Sequence, residues 1–206
     1  LENDADLKYY EATREIFGSD DYIVLAVTLR EHLLSDNVLR TLESLSRELE
    51  RVSNIESVNS VLTVPLFHSP KVSLYEMGTQ HKTLLMEGCD RQLAYEELTT
   101  SPLWRNNLIS EDGKTTAIVL TFKPNAEFNA LRDEHYRLRR QQASGSLTAD
   151  EERRMRTVNR AYNEKHAELS AQRRADVREI RTILAKYRGQ AYDFVESGLP
   201  MIIADM

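Results

Sequence analysis

The clearest hydrophobic pattern in the chain is the apolar run Tyr22–Leu29. It reads Tyr-Ile-Val-Leu-Ala-Val-Thr-Leu and lies between Gly18-Ser19-Asp20-Asp21 and Arg30-Glu31-His32. Because the run is not divided into a polar and an apolar face, it predicts a strand that is covered on both sides. We therefore place this strand at the centre of a sheet.

The rest of the chain alternates between helical spacing of apolar residues and short β-forming runs. Helices are predicted at residues 7–17 and from Ser35 or Asp36 to about Val52. A short helix capped by Asp90 is predicted at 90–98, and a long one from about residue 126 to 187 with a break at 143–146. Further strands are predicted at 55–64, 115–122 and 190–196, and a turn followed by an apolar stub at 197–206.

This order of elements predicts an α+β fold. The ferredoxin-like split βαβ plan has the order strand, helix, strand, strand, helix, strand. It is an antiparallel sheet with its helices on one face. Residues 1–206 then form a single domain with two insertions. The first is residues 65–113, which ends in a β-hairpin at Asp112-Gly113. The second is residues 126–176, a protruding helical hairpin within the second core helix.

The helical hairpin has a thin apolar seam. One helix carries seam positions at steps of three and four, and the other repeats the pattern after a Thr148–Glu151 capping box. So narrow a seam is typical of a two-stranded coiled coil and covers only one neighbouring helix. We expect the hairpin to project into solvent, with only the turns from about Val177 on the core. The seam positions are Phe128, Leu131, His135 and Leu138, then Met155, Val158, Tyr162 and Leu169.

Charge divides the chain into an acidic body and a basic segment. Residues 131–188 hold 15 Lys and Arg against 9 Asp and Glu, whereas the whole 206-residue chain has a net charge of −6. The overall acidity argues against nucleic acid as a partner.

No apolar stretch approaches the roughly 20 residues that span a bilayer. Since the chain does not begin with Met, we expect it to be a fragment of a longer protein.

The polar residues that could carry chemistry match no known catalytic or metal-binding pattern. His68, His81 and Cys89 lack zinc spacing, and Cys89 lacks the neighbours that would activate a thiol. Glu96-Glu97 and Asp20-Asp21 are adjacent acids, which usually point to different sides, whereas acid–base catalysis needs two carboxylates in different environments. The seven glycines are scattered, so no phosphate-binding loop is present. We predict no catalytic, cofactor or metal site and no enzymatic activity; substrate-binding residues are unassigned.

Two features of the hairpin leave alternatives open. His135 and His166 are either a pH-sensitive pair or polar seam residues that set the register. The basic runs 137–140 and 153–156 are either a contact for an acidic partner or anionic headgroups, or simply a solvated surface.

Four stretches, in order, resemble the first extracytoplasmic loop of resistance-nodulation-division (RND) transporters, and most closely the MMPL-type branch. They are residues 7–24 with Phe17-Gly18-Ser19-Asp20-Asp21-Tyr22, residues 55–65, residues 110–118 with Asp112-Gly113-Lys114-Thr115-Thr116, and residues 198–202 with Gly198-Leu199-Pro200. The helical hairpin is the part least typical of that family.

The resemblance implies a porter-like domain of a proton-driven inner-membrane exporter, on the periplasmic or extracytoplasmic side. Its partners would be the transporter's membrane helices and second extracytoplasmic loop, a lipid-like or hydrophobic substrate, and a protein at the helical hairpin. The proton relay would lie in membrane helices outside these residues. A second interpretation is a structural or adaptor module that binds a partner through the hairpin, and a third is a soluble ferredoxin-like enzyme.

Overall fold

The structure is a computed structural model that describes residues 21–67, 82–189 and 192–205. The helix predicted at 7–17 lies outside these residues. The described part is an α+β fold with a four-stranded antiparallel sheet, which confirms the predicted class. Its elements are β1 Tyr22–Leu29, α1 Asp36–Leu49, β2 Ile55–Ser60, α2 Arg91–Thr100, β3 Thr115–Phe122, α3 Ala126–Ala143, α4 Ala149–Tyr187, β4 Tyr192–Ser197 and α5 Leu199–Asp205.

Strand β1 is an inner strand, as predicted. The strand order is β2-β3-β1-β4, and all three pairings are antiparallel. Leu25 lies opposite Ile118 of β3, and Val27 lies opposite Phe194 of β4.

The prediction that β1 is covered on both sides is wrong. Its odd-numbered residues are buried, whereas Val24 and Ala26 are half-buried and Tyr22 and Thr28 are exposed. Successive side chains of a strand point to opposite faces, so among the described residues of β1 only the odd-numbered face is fully buried. An unbroken apolar run reflects β propensity as well as burial, and it does not require a cover on each side.

The chain forms two compact units, one around the sheet and one around the helical hairpin. The described residues of the sheet unit are 21–67, 82–122, 176–189 and 192–202, and those of the hairpin unit are 123–175 and 203–205. Helix α4 is continuous from one to the other. The predicted arrangement of one domain with two insertions stays a prediction.

In the sheet unit, α1 begins and ends by local hydrogen bonding. The Ser35 hydroxyl accepts a hydrogen bond from the Val38 backbone N–H (3.3 Å), which is the predicted N-cap. The helix ends at Leu49, three residues before the predicted end, although Val52 is still buried. Its buried positions recur at helical spacing and form one apolar face.

Strand β2 is shorter than predicted because its polar residues form a turn. The Ser60 backbone N–H donates to the Thr63 hydroxyl (2.9 Å), and the Leu62 N–H donates to the Ser60 hydroxyl (3.2 Å). Such side-chain bonds offer the backbone an alternative to the sheet ladder. Strand β2 therefore ends at Ser60 instead of Val64.

The core includes the buried face of the sheet, the apolar face of α1 and the last turns of α4. Val177, Ile180 and Leu184 of α4 are almost fully buried, as the sequence predicts for the turns after Val177. Polar contacts join the same elements. The Asn54 amide donates to both carboxylate oxygens of Asp176 (2.9 and 3.1 Å), and Glu48 accepts from Lys186 (2.5 Å) and Tyr187 (2.6 Å).

Residues 65–113 contribute helix α2 and a tight turn to the sheet unit. The Asp90 side chain caps α2, as predicted, by accepting from Gln92 and Leu93. At the turn, the Ser110 N–H donates to the Thr115 carbonyl (2.8 Å), and Gly113 has φ +67°. A side chain at Gly113 would overlap the Tyr95 hydroxyl.

After β4 the chain forms helix α5, where the sequence predicted a turn and an apolar stub. Gly198 has φ +127°, and its carbonyl accepts from the N–H groups of Met201 and Ile202 (3.1 and 3.3 Å). Pro200 is compatible with this start because the first helical turn needs no N–H donor from it. Across the described residues, no helix combines the length and apolar character that crossing a bilayer requires.

Candidate interaction surfaces

The residues considered for metal binding are not brought together in the described part of the chain. There, no group of three or more His, Cys, Asp and Glu side chains is placed to hold a metal ion. Cys89 is a half-buried free thiol just before α2, and His68 and His81 lie outside the described residues. The predicted lack of a metal site stays a prediction.

Of the adjacent acids, Glu96 and Glu97 lie in different environments. Glu97 is 4% exposed and accepts two hydrogen bonds from the Phe67 backbone N–H (2.8 and 3.1 Å), whereas Glu96 is exposed. Asp21 accepts from the Phe122 N–H through its backbone carbonyl (3.0 Å), and Asp20 lies outside the described residues. Glu97 therefore anchors the backbone of the segment after β2.

The hairpin unit does bring its predicted seam residues together. Leu138 of α3 and Val158 of α4 are buried. The Phe128 and Tyr162 rings stack with centroids 5.5 Å apart, and the His135 ring lies edge-on to Tyr162 at 4.4 Å. The two helices thus share an aromatic seam, and the finer description as a coiled coil stays a prediction.

His135 and His166 both lie against Tyr162, the second at 5.9 Å. Burial lowers the pKa of His135, and the charge of Arg139 lowers it further. His135 Nε2 accepts from Arg139 Nε (3.4 Å), while its buried Nδ1 has no hydrogen-bond partner among the described residues. Burial and the charge of Arg139 therefore both favour the neutral form of His135.

The arginines near the end of the hairpin are of two kinds. Arg137 forms ion pairs with Glu134 (4.0 Å) and Glu151 (3.6 Å). Two more are also paired, Arg153 with Asp150 and Arg154 with Glu134. Within the described chain, no hydrogen bond or ion pair holds the side chains of Arg140, Arg156 and Arg160.

A shallow cleft lies beside Arg156 at the same end of the hairpin. It has a volume of about 290 Å³, and we call it the tip cleft. Leu147 and Met155 supply half-buried apolar walls, and Glu152 and Arg156 supply charge. Gln142 and Gly145 complete its lining.

The second surface is the sheet face opposite the core, which is only partly buried in the part of the chain that the structure describes, and we call it the open face. Val24 lies opposite Val119, and Ala26 lies between Ala117 and Val195. Four of these residues are half-buried and Val195 is 66% exposed. The surface is apolar and uncharged at its centre. The sequence contained these residues, but no signal in it separated the open face from the buried one.

Comparison of the chain with protein-family models, with curated proteins and with solved structures finds no match.

Proposed function

We propose that the chain is an extracytoplasmic, porter-like domain of an RND-type exporter of the MMPL branch. In this proposal the domain is ferredoxin-like and non-catalytic. It forms part of the path of a hydrophobic or lipid-like substrate on the periplasmic side of the inner membrane. Four stretches that resemble the family support it, as does the strand order β2-β3-β1-β4.

The open face is the observation that carries the proposal. A sheet face that meets only water usually carries polar side chains alternating with the buried apolar ones. Here Val24, Ala26, Ala117 and Val119 are apolar, and the Val195 side chain beside them is exposed. An apolar patch whose side chains are left partly exposed favours contact with another apolar surface. We assign its partner as the rest of the transporter, either the second extracytoplasmic loop or the membrane helices.

The first test of this proposal is the gene sequence around the chain. An exporter loop requires about 20 apolar residues close before Leu1 and close after Met206, enough to span the bilayer. Polar flanks on both sides would exclude the exporter.

The second test is photo-crosslinking within the full-length protein. Benzoylphenylalanine at Val195 of the open face should crosslink to segments of the same polypeptide outside these 206 residues, mapped by mass spectrometry. The matched control is the same amino acid at Ala171, an exposed position of α4. Crosslinks from Ala171 alone, or from neither position, would contradict the role of the open face.

The adaptor module is the second candidate, and the unpaired arginines of the hairpin favour it. The gene sequence on either side of the chain also distinguishes the exporter from the adaptor, because an adaptor needs no membrane helix on either side.

A further inference from the structure

The ring of His135 has the hydrogen bonding of a neutral imidazole. It lies edge-on to Tyr162 of α4 at 4.4 Å, and its Nε2 accepts from Arg139 Nε (3.4 Å). A neutral imidazole has one acceptor nitrogen, so the proton belongs on Nδ1. Nδ1 is buried, and no atom of the described chain hydrogen-bonds to it. Protonation would convert Nε2 into a second donor and remove the bond to Arg139.

The charged groups around His135 on its own helix do not compensate a positive charge. One turn to either side on the same face of α3 are Arg132 and Arg139, and Arg132 is paired with Asp133 (2.9 Å). Glu134 is adjacent to His135 in the chain, yet its carboxylate binds an arginine of α4. Within the part of the chain that the structure describes, no Asp or Glu forms a hydrogen bond or an ion pair with His135.

The facing helix offers no free negative charge at this level either. One turn before Tyr162, on the same face of α4, are the uncharged Val158 and Asn159. One turn after Tyr162 are Lys165 and His166, and Lys165 is paired with two carboxylates (3.1 and 3.2 Å). A proton taken up by His135 therefore adds an uncompensated charge next to Arg139.

The seam has little else to hold it together. Among residues 123–175, Leu138 and Val158 are the apolar side chains that are buried. The remaining seam contacts are between aromatic rings, with Phe128 and Tyr162 stacked at 5.5 Å. Because so few side chains hold α3 on α4, the loss of one favourable contact weakens a large part of their packing.

We propose that the aromatic seam is an acid-sensitive contact, in which uptake of a proton by His135 loosens the packing of α3 on α4 while the sheet unit stays folded. The lowered pKa of His135 agrees with this direction, because the folded hairpin then resists the proton more than the loosened one does. The loosening begins below about pH 6.5, where an unburied histidine takes up its proton. The order of the hairpin then depends on the pH around it, for an exporter domain and an adaptor alike.

The test is hydrogen exchange of the whole chain at pH 7.5 and pH 5.5, followed by mass spectrometry. Results are expressed as protection factors, since the chemical exchange rate itself depends on pH. Peptides from α3 and from residues 149–168 of α4 should lose protection by about threefold or more at pH 5.5. Peptides from β1 and β3 should keep theirs.

Two variants remove the titrating group and one matched control keeps it. His135→Phe supplies an apolar ring and His135→Gln a polar side chain, and in both the protection of α3 should be the same at the two pH values. His166→Gln removes the other imidazole beside Tyr162, which is exposed, and should retain the full loss at pH 5.5.

Four outcomes would overturn the proposal. They are a pH effect that persists in both His135 variants, a pH effect that disappears in His166→Gln, an equal loss of protection in the sheet strands, and a gain of protection at pH 5.5. The last result would show that the aromatic rings bind the imidazolium instead. None of these outcomes bears on the exporter proposal, whose tests concern the neighbouring gene sequence and the open face.

Discussion

Strand β1 offers a direct test of which sheet face is covered. Val24 and Val27 lie three residues apart on the same strand, and their side chains point to opposite faces. Val27 is 0% exposed and lies opposite Thr116 and Phe194, whereas Val24 is half-buried on the open face. We propose to compare Val27→Ala with Val24→Ala, since both remove the same two methyl groups.

The expected magnitudes follow from burial. Two buried methyl groups contribute about 1.6 kcal/mol at roughly 0.8 kcal/mol each. The cavity left in a closed core adds to this, so Val27→Ala should lower the free energy of unfolding by about 2–3 kcal/mol. Val24→Ala leaves no closed cavity, and we expect a loss of about 1 kcal/mol or less. Both variants lose the same β propensity, so the difference reports burial alone.

The assay is urea unfolding followed by tryptophan fluorescence. The chain has a single tryptophan, Trp104, which lies in the sheet unit, so the signal reports this unit and not the hairpin. With a typical slope near 2 kcal/mol/M, a difference of 1.5 kcal/mol separates the two midpoints by about 0.7 M. Equal losses in both variants would refute the reasoning, because they would show that β1 is equally covered on its two faces.

Three further predictions concern the hairpin and a buried hydrogen bond. Deleting residues 131–169 and bridging the ends should leave the sheet unit folded, with cooperative thermal unfolding when Trp104 fluorescence is followed. Loss of that cooperative transition would show that the hairpin belongs to the core. The pKa of His135 is lowered in the folded chain, so as the pH falls the unfolded chain takes up the proton first. The stability that neutral His135 contributes to the hairpin should be fully present above about pH 6.5 and should decline as the pH falls towards the folded pKa. Thermal melts followed by circular dichroism at 222 nm should show that His135→Phe reduces this decline. Asn54→Ala removes two hydrogen bonds to the buried Asp176 and should cost roughly 1–3 kcal/mol in urea unfolding, and an unchanged midpoint would contradict this.

Much of the local structure was predictable because its determinants lie within a few residues of one another. The bounds of β1 and β3 follow from their apolar β-forming runs and agree with the observed strands. The Ser35 and Asp90 caps each depend on a side chain that accepts from a backbone N–H two or three residues away. The break between α3 and α4 follows from the same kind of signal, since the Thr148 hydroxyl accepts from the Glu151 N–H (3.3 Å).

Some local features were missed because two signals competed. Residues 55–64 carry enough apolar residues for a longer strand, but Ser60 and Thr63 hydrogen-bond to the backbone and end β2 early. Likewise, Gly198 and Pro200 indicated a turn, yet a glycine followed by proline in the first turn is also compatible with the start of α5.

The surfaces that support the proposals depend on contacts between distant parts of the chain. Seven arginines between residues 137 and 160 look alike in the sequence. Arg154 is neutralised by Glu134, twenty residues away on the facing helix, whereas Arg156 has no partner among the described residues. Which arginines stay unpaired is set by how α3 and α4 pack, and no spacing rule along one helix contains that information.

By itself, then, the sequence determined the α+β class, the inner position of β1, the caps and the helical break, because periodicity and short-range hydrogen bonds act along the chain. Only the tertiary structure decided which face of β1 is buried and which arginines remain unpaired. Residues from β3 and β4 flank Val24 and Val27 alike, so strand pairing does not distinguish the two faces. Among the described residues, the helices bury one face fully and the other only in part, because an apolar side chain is buried only where another element packs against it.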